Sequence, residues 1–98
     1  MNNLLTLKRD LVEVGRRVYA RGYVASNDGN ISARLDEKRV VITPTGISKG
    51  FMTPEDMVVV DLEGKVLSGT RKPSSEVYMH LAVYKNRPDI NSVCHAHP

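Results

Sequence analysis

The chain has 98 residues, 41% hydrophobic and 26% charged, with 7 Gly and 5 Pro, which excludes disordered, collagen-like and low-complexity classes and leaves material for one modest core. The single cysteine, Cys94, excludes an internal disulfide. No stretch nears the roughly 20 apolar residues of a membrane-crossing helix and no apolar signal core opens the chain, so a reducing cytoplasm is the expected compartment. The 14 basic residues interleave with 11 acidic ones for a net charge of +3, without the basic block or the supply of aromatics that nucleic-acid binding uses. A small phosphorylated ligand suits this balance better than nucleic acid or a membrane.

In chain order, Leu4, Leu7, Leu11, Val14, Val18 and Tyr19 recur with a spacing near 3.6 between charged residues, which predicts an amphipathic helix over 1–22. Asn2 or Asn3 caps it and Gly22 stops it. The turn formers of 25–30 feed a strand over 31–35, and a turn at 36–38 leads to a second strand over 40–42. Thr53, Pro54, Glu55 and Asp56 have the pattern of a capped helical turn. A second hairpin is expected from 58–61 and 65–68 around Glu63 and Gly64. A helix follows over 75–86, with Pro88 just beyond it, and a strand over 91–97. The order predicts an α/β sandwich with a largely antiparallel sheet.

His95 and His97, one residue apart on a strand, point to one side and are suited as nitrogen ligands to zinc, but two ligands do not complete a site. A surface pair or two hydrogen-bonded histidines is the competing reading. His80 is a third ligand by residue type, yet its place in a helix beside Met79, Leu81 and Ala82 fits a packed core histidine better. Glu76 follows Ser74 and Ser75 at a helix start, where a carboxylate simply favours the helix dipole. The same serines and the unsatisfied N–H groups there also suit a phosphate. Gly29 with Asn30, and Thr45 with Gly46, each pair an open backbone with a polar side chain. Each alone is an ordinary turn, and their joint occurrence is the signal.

Gly29-Asn30-Ile31-Ser32, Thr43-Pro44-Thr45-Gly46, Pro73-Ser74-Ser75-Glu76 and His95-Ala96-His97, in that order, closely resemble the N-terminal half of the class II aldolase/epimerase family. The resemblance spans essentially the whole chain and treats 1–98 as the N-terminal part of one domain. It implies a three-layer α/β/α sandwich with a mainly antiparallel central sheet, here incomplete. It further implies that Gly29, Asn30, Thr45, Gly46, Ser74 and Ser75 bind the substrate phosphate. Glu76 is the implied acid/base group, able to approach the metal, and His95 and His97 are two of three histidines on Zn2+. The implied reaction is reversible cleavage of a ketose 1-phosphate to dihydroxyacetone phosphate and an aldehyde in a homotetramer. Within the family the alternatives are a pentulose-phosphate 4-epimerase, a dehydratase or a decarboxylase, and outside catalysis a non-catalytic interaction module with this fold. Family proteins are roughly twice this long, with the third histidine and the aldehyde-side tyrosines in the second half, so 98 residues alone are expected to be inactive.

Overall fold

A computed structural model describes residues 3–24 and 29–96. Its elements are α1 (Leu4–Ala20), β1 (Asn30–Arg34), β2 (Arg39–Ile42), a 3-10 turn (Pro54–Asp56), β3 (Val58–Asp61), β4 (Val66–Ser68), α2 (Val77–Asn86) and β5 (Ser92–His95). The strands form one sheet in the order β4-β3-β2-β1-β5. Every neighbouring pair is antiparallel. No helix among the described residues is long and apolar enough to cross a membrane.

Local chemistry sets the element ends. Asn3 caps α1 by accepting the Thr6 N–H at 3.1 Å, and Gly22 leaves the helix with a φ of 73°, a left-handed conformation that glycine adopts without strain. Asp36 closes the β1–β2 turn by accepting the Lys38 N–H at 2.9 Å and pairing with Arg39, which supplies the closure that an Asn-Gly turn would otherwise give. Asp56 returns a carboxylate oxygen to the Thr53 N–H at 2.8 Å, closing the 3-10 turn as a capping box. The second helix starts at Val77, two residues later than the pattern predicts. Ser74 folds its hydroxyl onto the Glu76 N–H at 3.2 Å and its carbonyl onto the Val77 N–H, making a turn before the helix.

Strand alternation divides the apolar residues between two faces. Ile31, Ala33, Val41 and Val59 join Leu11 of α1, Met52 and Met57 on one side. Val40, Ile42, Val58 and Val60 join Val77, Leu81 and Tyr84 on the other. The sheet is therefore the middle of three layers, with α1 and α2 on opposite faces, as expected for an α/β/α sandwich.

The loop between β2 and the 3-10 turn packs tightly on α1 at Gly15. A Cβ there would stand 2.6 Å from the Lys49 carbonyl oxygen and 2.6 Å from the Met52 side-chain methyl. Helix and loop backbone touch only because no side chain intervenes. Gly15→Ala is expected to cost about 1 to 3 kcal/mol through overpacking, read as a lower urea midpoint. An unchanged midpoint would show that this contact does not hold the loop.

Candidate active site

The antiparallel register brings three chain segments to the same end of the sheet. β1 begins where β2 ends and where β5 ends, with Asn30 opposite His95 and Ser32 opposite Ile42. Thr43, just past β2, is fully buried and hydrogen-bonded in two directions. Its N–H donates to the Ile31 carbonyl at 3.0 Å, and its Oγ1 accepts the Ile31 N–H at 3.2 Å. Its carbonyl accepts the Ser74 N–H at 3.0 Å, while the Thr45 N–H donates to the Lys72 carbonyl at 3.0 Å, and Pro44 bridges Pro73. This short crossing draws in the fourth segment, from which α2 departs with its N-terminus at this end of the sheet.

Gly29 and Asn30, Thr45 and Gly46, Ser74, Ser75 and Glu76, and His95 thus share one rim. Thr45, Gly46, Ser75 and Glu76 are exposed, Gly29 and His95 are half-buried, and Asn30 and Ser74 are buried. Gly29 adopts a φ of 86°, and a Cβ on it would sit 3.1 Å from the His95 carbonyl oxygen as well as against Val24. Only glycine lets the chain enter β1 this close to β5. His97 lies outside the described residues.

Behind the rim runs a buried polar chain. His80 and Ser32 are 0% exposed, Tyr84 2% and Asn30 5%. Ser32 Oγ lies 2.6 Å from His80 Nδ1 and 2.7 Å from the Tyr84 hydroxyl, and His80 Nε2 meets Asn30 Oδ1. Burial, and next the electrostatic influence of the neighbouring His95, push the His80 pKa down to about 4, so its ring is neutral at pH 7. Burial raises the Tyr84 pKa, which keeps its phenol protonated.

The family model described as Class II Aldolase and Adducin N-terminal domain matches residues 9–98. The chain belongs to this family. It is 45% identical over 93 residues to the 3-oxo-tetronate 4-phosphate decarboxylase of Haemophilus influenzae, covering 95% of this chain and 44% of that protein. It is 44% identical over 88 residues to the L-fuculose phosphate aldolase of Methanococcus maripaludis, covering 90% of this chain and 47% of that protein. The solved structure of YgbL from Klebsiella pneumoniae superposes with a TM-score of 0.92 at 34% identity, covering 99% of this chain and 46% of that one. The chain thus spans less than half the length of these relatives.

In this member of the class II aldolase and adducin family, His80 is a core histidine. Both ring nitrogens are engaged by Ser32 and Asn30, which leaves neither lone pair for a metal. Among the described residues no three His, Cys, Asp or Glu side chains come together to hold a metal ion. At this end of the sheet His95 and Glu76 are the donors of zinc-binding type, so the described donor set fits zinc in kind and is incomplete in number.

Sequence reasoning missed the partners of His80. Ser32 stands in a motif without an assigned part, and Tyr84 has no assigned part at all. The signal was present: Asn30 and Ser32 are two apart on a strand, His80 and Tyr84 four apart on a helix, so each pair shares a face.

His80 makes stability depend on pH. A group with a folded pKa near 4 and an unfolded value of 6.5 contributes stability that is full above pH 6.5 and lost as pH falls toward 4. About 2 kcal/mol should disappear between pH 7 and pH 5 in metal-free protein, read from urea midpoints. Glu13, held low by Arg17, and Asp36, held low by Arg39, act only below their ordinary values of 4.5 and 3.8. Stability that is level from pH 7 to pH 5 would contradict a neutral, buried His80.

Proposed function

We propose that the whole protein, through this sheet end, performs reversible aldol cleavage of a ketose 1-phosphate to dihydroxyacetone phosphate and an aldehyde. The observation that supports it most is the convergence of the four loop segments around the start of α2. Gly29, Asn30, Thr45, Gly46, Ser74 and Ser75 are the proposed phosphate ligands. Hydroxyls, a carboxamide and open backbone N–H groups at a helix N-terminus are donors matched to phosphate oxygens, and the helix dipole favours the negative charge. Anchoring the phosphate fixes the reacting carbons relative to the rim and removes the entropy of aligning them.

Glu76 stands exposed beside the serines, where a carboxylate can return a proton to the carbon left electron-rich by cleavage and remove it in the reverse direction. His95 and His97 are the proposed zinc ligands, with a third supplied from outside this chain. Bound zinc would act as a Lewis acid toward the substrate oxygens beside the bond that breaks. A cytoplasmic homotetramer forms part of the same proposal.

The 45% identity to a decarboxylase supports a second reading, loss of carbon dioxide from a 3-oxo acid phosphate at the same rim. Both reactions can leave dihydroxyacetone phosphate, so the two are told apart by which substrate is consumed and by whether carbon dioxide is released. The whole protein is expected to release dihydroxyacetone phosphate from a ketose 1-phosphate, and Glu76→Gln to lower kcat by about 10² to 10⁴ with little change in KM. Carbon dioxide release from a 3-oxo acid phosphate, with no dihydroxyacetone phosphate from any ketose 1-phosphate, would replace the first reading with the second.

A further inference from the structure

The buried chain of His80, Ser32 and Tyr84 ends on Asn30, the one buried residue of the rim whose side chain is a carboxamide. Such a group is two-fold about its last torsion, and turning it over exchanges an N–H donor for an oxygen acceptor. Facing an anion, the first attracts and the second repels. The direction of the hydrogen bonds behind Asn30 therefore matters at the rim.

That direction follows from counting protons. If Tyr84 donates to Ser32 Oγ, Ser32 donates to His80 Nδ1, and His80 Nε2–H donates to Asn30 Oδ1, the two hydroxyl protons and the imidazole proton all have acceptors, and only the Asn30 Nδ2–H pair, which is not among the buried unpartnered atoms, is left over. In the reverse order Asn30 donates to His80, His80 to Ser32, and Ser32 to Tyr84. The Tyr84 hydroxyl, which also accepts from the Val93 backbone, would then accept from Ser32 too and keep its own proton with no acceptor among its described hydrogen bonds. A buried phenol proton left unmet is costly, so the first order holds. It turns the Asn30 carbonyl inward and leaves the two Nδ2–H donors for other acceptors.

We propose that His80 is a positioning residue: its Nε2–H holds the Asn30 carboxamide with Nδ2 directed to the substrate phosphate, and Ser32 and Tyr84 hold His80 in the tautomer that does this. The inference rests on the reading of Asn30 as a phosphate ligand. Because the His80 ring stays neutral at pH 7, it keeps one donor and one acceptor, which the chain needs at both ends.

Two measurements on the full chain test it. In a long-range proton–nitrogen NMR spectrum at pH 7, His80 should be protonated at Nε2; protonation at Nδ1 would overturn the proposal. By calorimetric titration with inorganic phosphate, Asn30→Ala should weaken binding about tenfold, and unchanged binding would overturn the reading of Asn30 itself. His80→Met, which frees the carboxamide, should weaken phosphate binding by a similar factor, while His80→Gln, which keeps an N–H donor, should stay within about threefold of wild type. If Asn30→Ala weakens binding but His80→Met does not, the positioning role fails and the phosphate cradle stands. Should His80→Met not fold, Tyr84→Phe serves: it deletes only the hydroxyl that fixes the order, and is expected to populate the Nδ1–H tautomer and weaken phosphate about two- to threefold. A Tyr84→Phe protein with unchanged tautomer and affinity would also overturn the proposal.

Discussion

The site depends on Thr43. This residue is fully buried just beyond β2, and through its N–H, hydroxyl and carbonyl it ties Ile31 of β1 to Ser74 ahead of α2. Three segments far apart in sequence are thereby held within a hydrogen bond of one another. Each bond is worth about 1 kcal/mol net, but leaving any of these buried groups unmet would cost more. The crossing is therefore specified as well as stabilised. The start of α2, and with it Ser74, Ser75 and Glu76, takes its place from this crossing.

The two layers covering the sheet play unequal parts. On the α1 face the contacts are apolar, apart from the approach of the 43–52 loop at Gly15, and they supply the burial that makes the fold. On the α2 face the same alternation places Val40, Ile42, Val58 and Val60 against the helix, but at β1 it places Asn30, Ser32 and Arg34 there. Those polar residues are met by His80 and Tyr84 at one end. At the other, Arg34 donates to the Tyr84 and Ile90 carbonyls and stacks 4.9 Å over the Tyr84 ring. Polar partners along one strand fix where α2 lies on the sheet, because a slip by one residue would strand each of them.

Much of this was legible in the sequence. The 3.6-residue spacing of Leu4, Leu7 and Leu11 marks α1, Asn2 or Asn3 and Gly22 mark its ends, with the structure choosing Asn3, and the Val-rich runs mark β2 and β3. The four motifs and the family resemblance were readable as patterns, and the matching family model bears out that resemblance. Other features were not local. The start of α2 shifts to Val77 because the Ser74 hydroxyl and carbonyl capture the next N–H groups, which no propensity reports. The link of His80 to Asn30 needs the packing of α2 on β1. A histidine among apolar residues looks the same in sequence whether or not a strand brings it polar partners.

The central claim is that this end of the sheet is a cradle for a phosphate. The most direct measurement is a phosphate titration of the full protein followed in proton–nitrogen NMR spectra. The account predicts saturable shifts that share one binding curve at the backbone amides of Gly46 and Ser75 and at the Asn30 side chain. Shifts confined to the exposed basic residues of α1, such as Arg16 and Arg17, with those three signals unmoved, would contradict it.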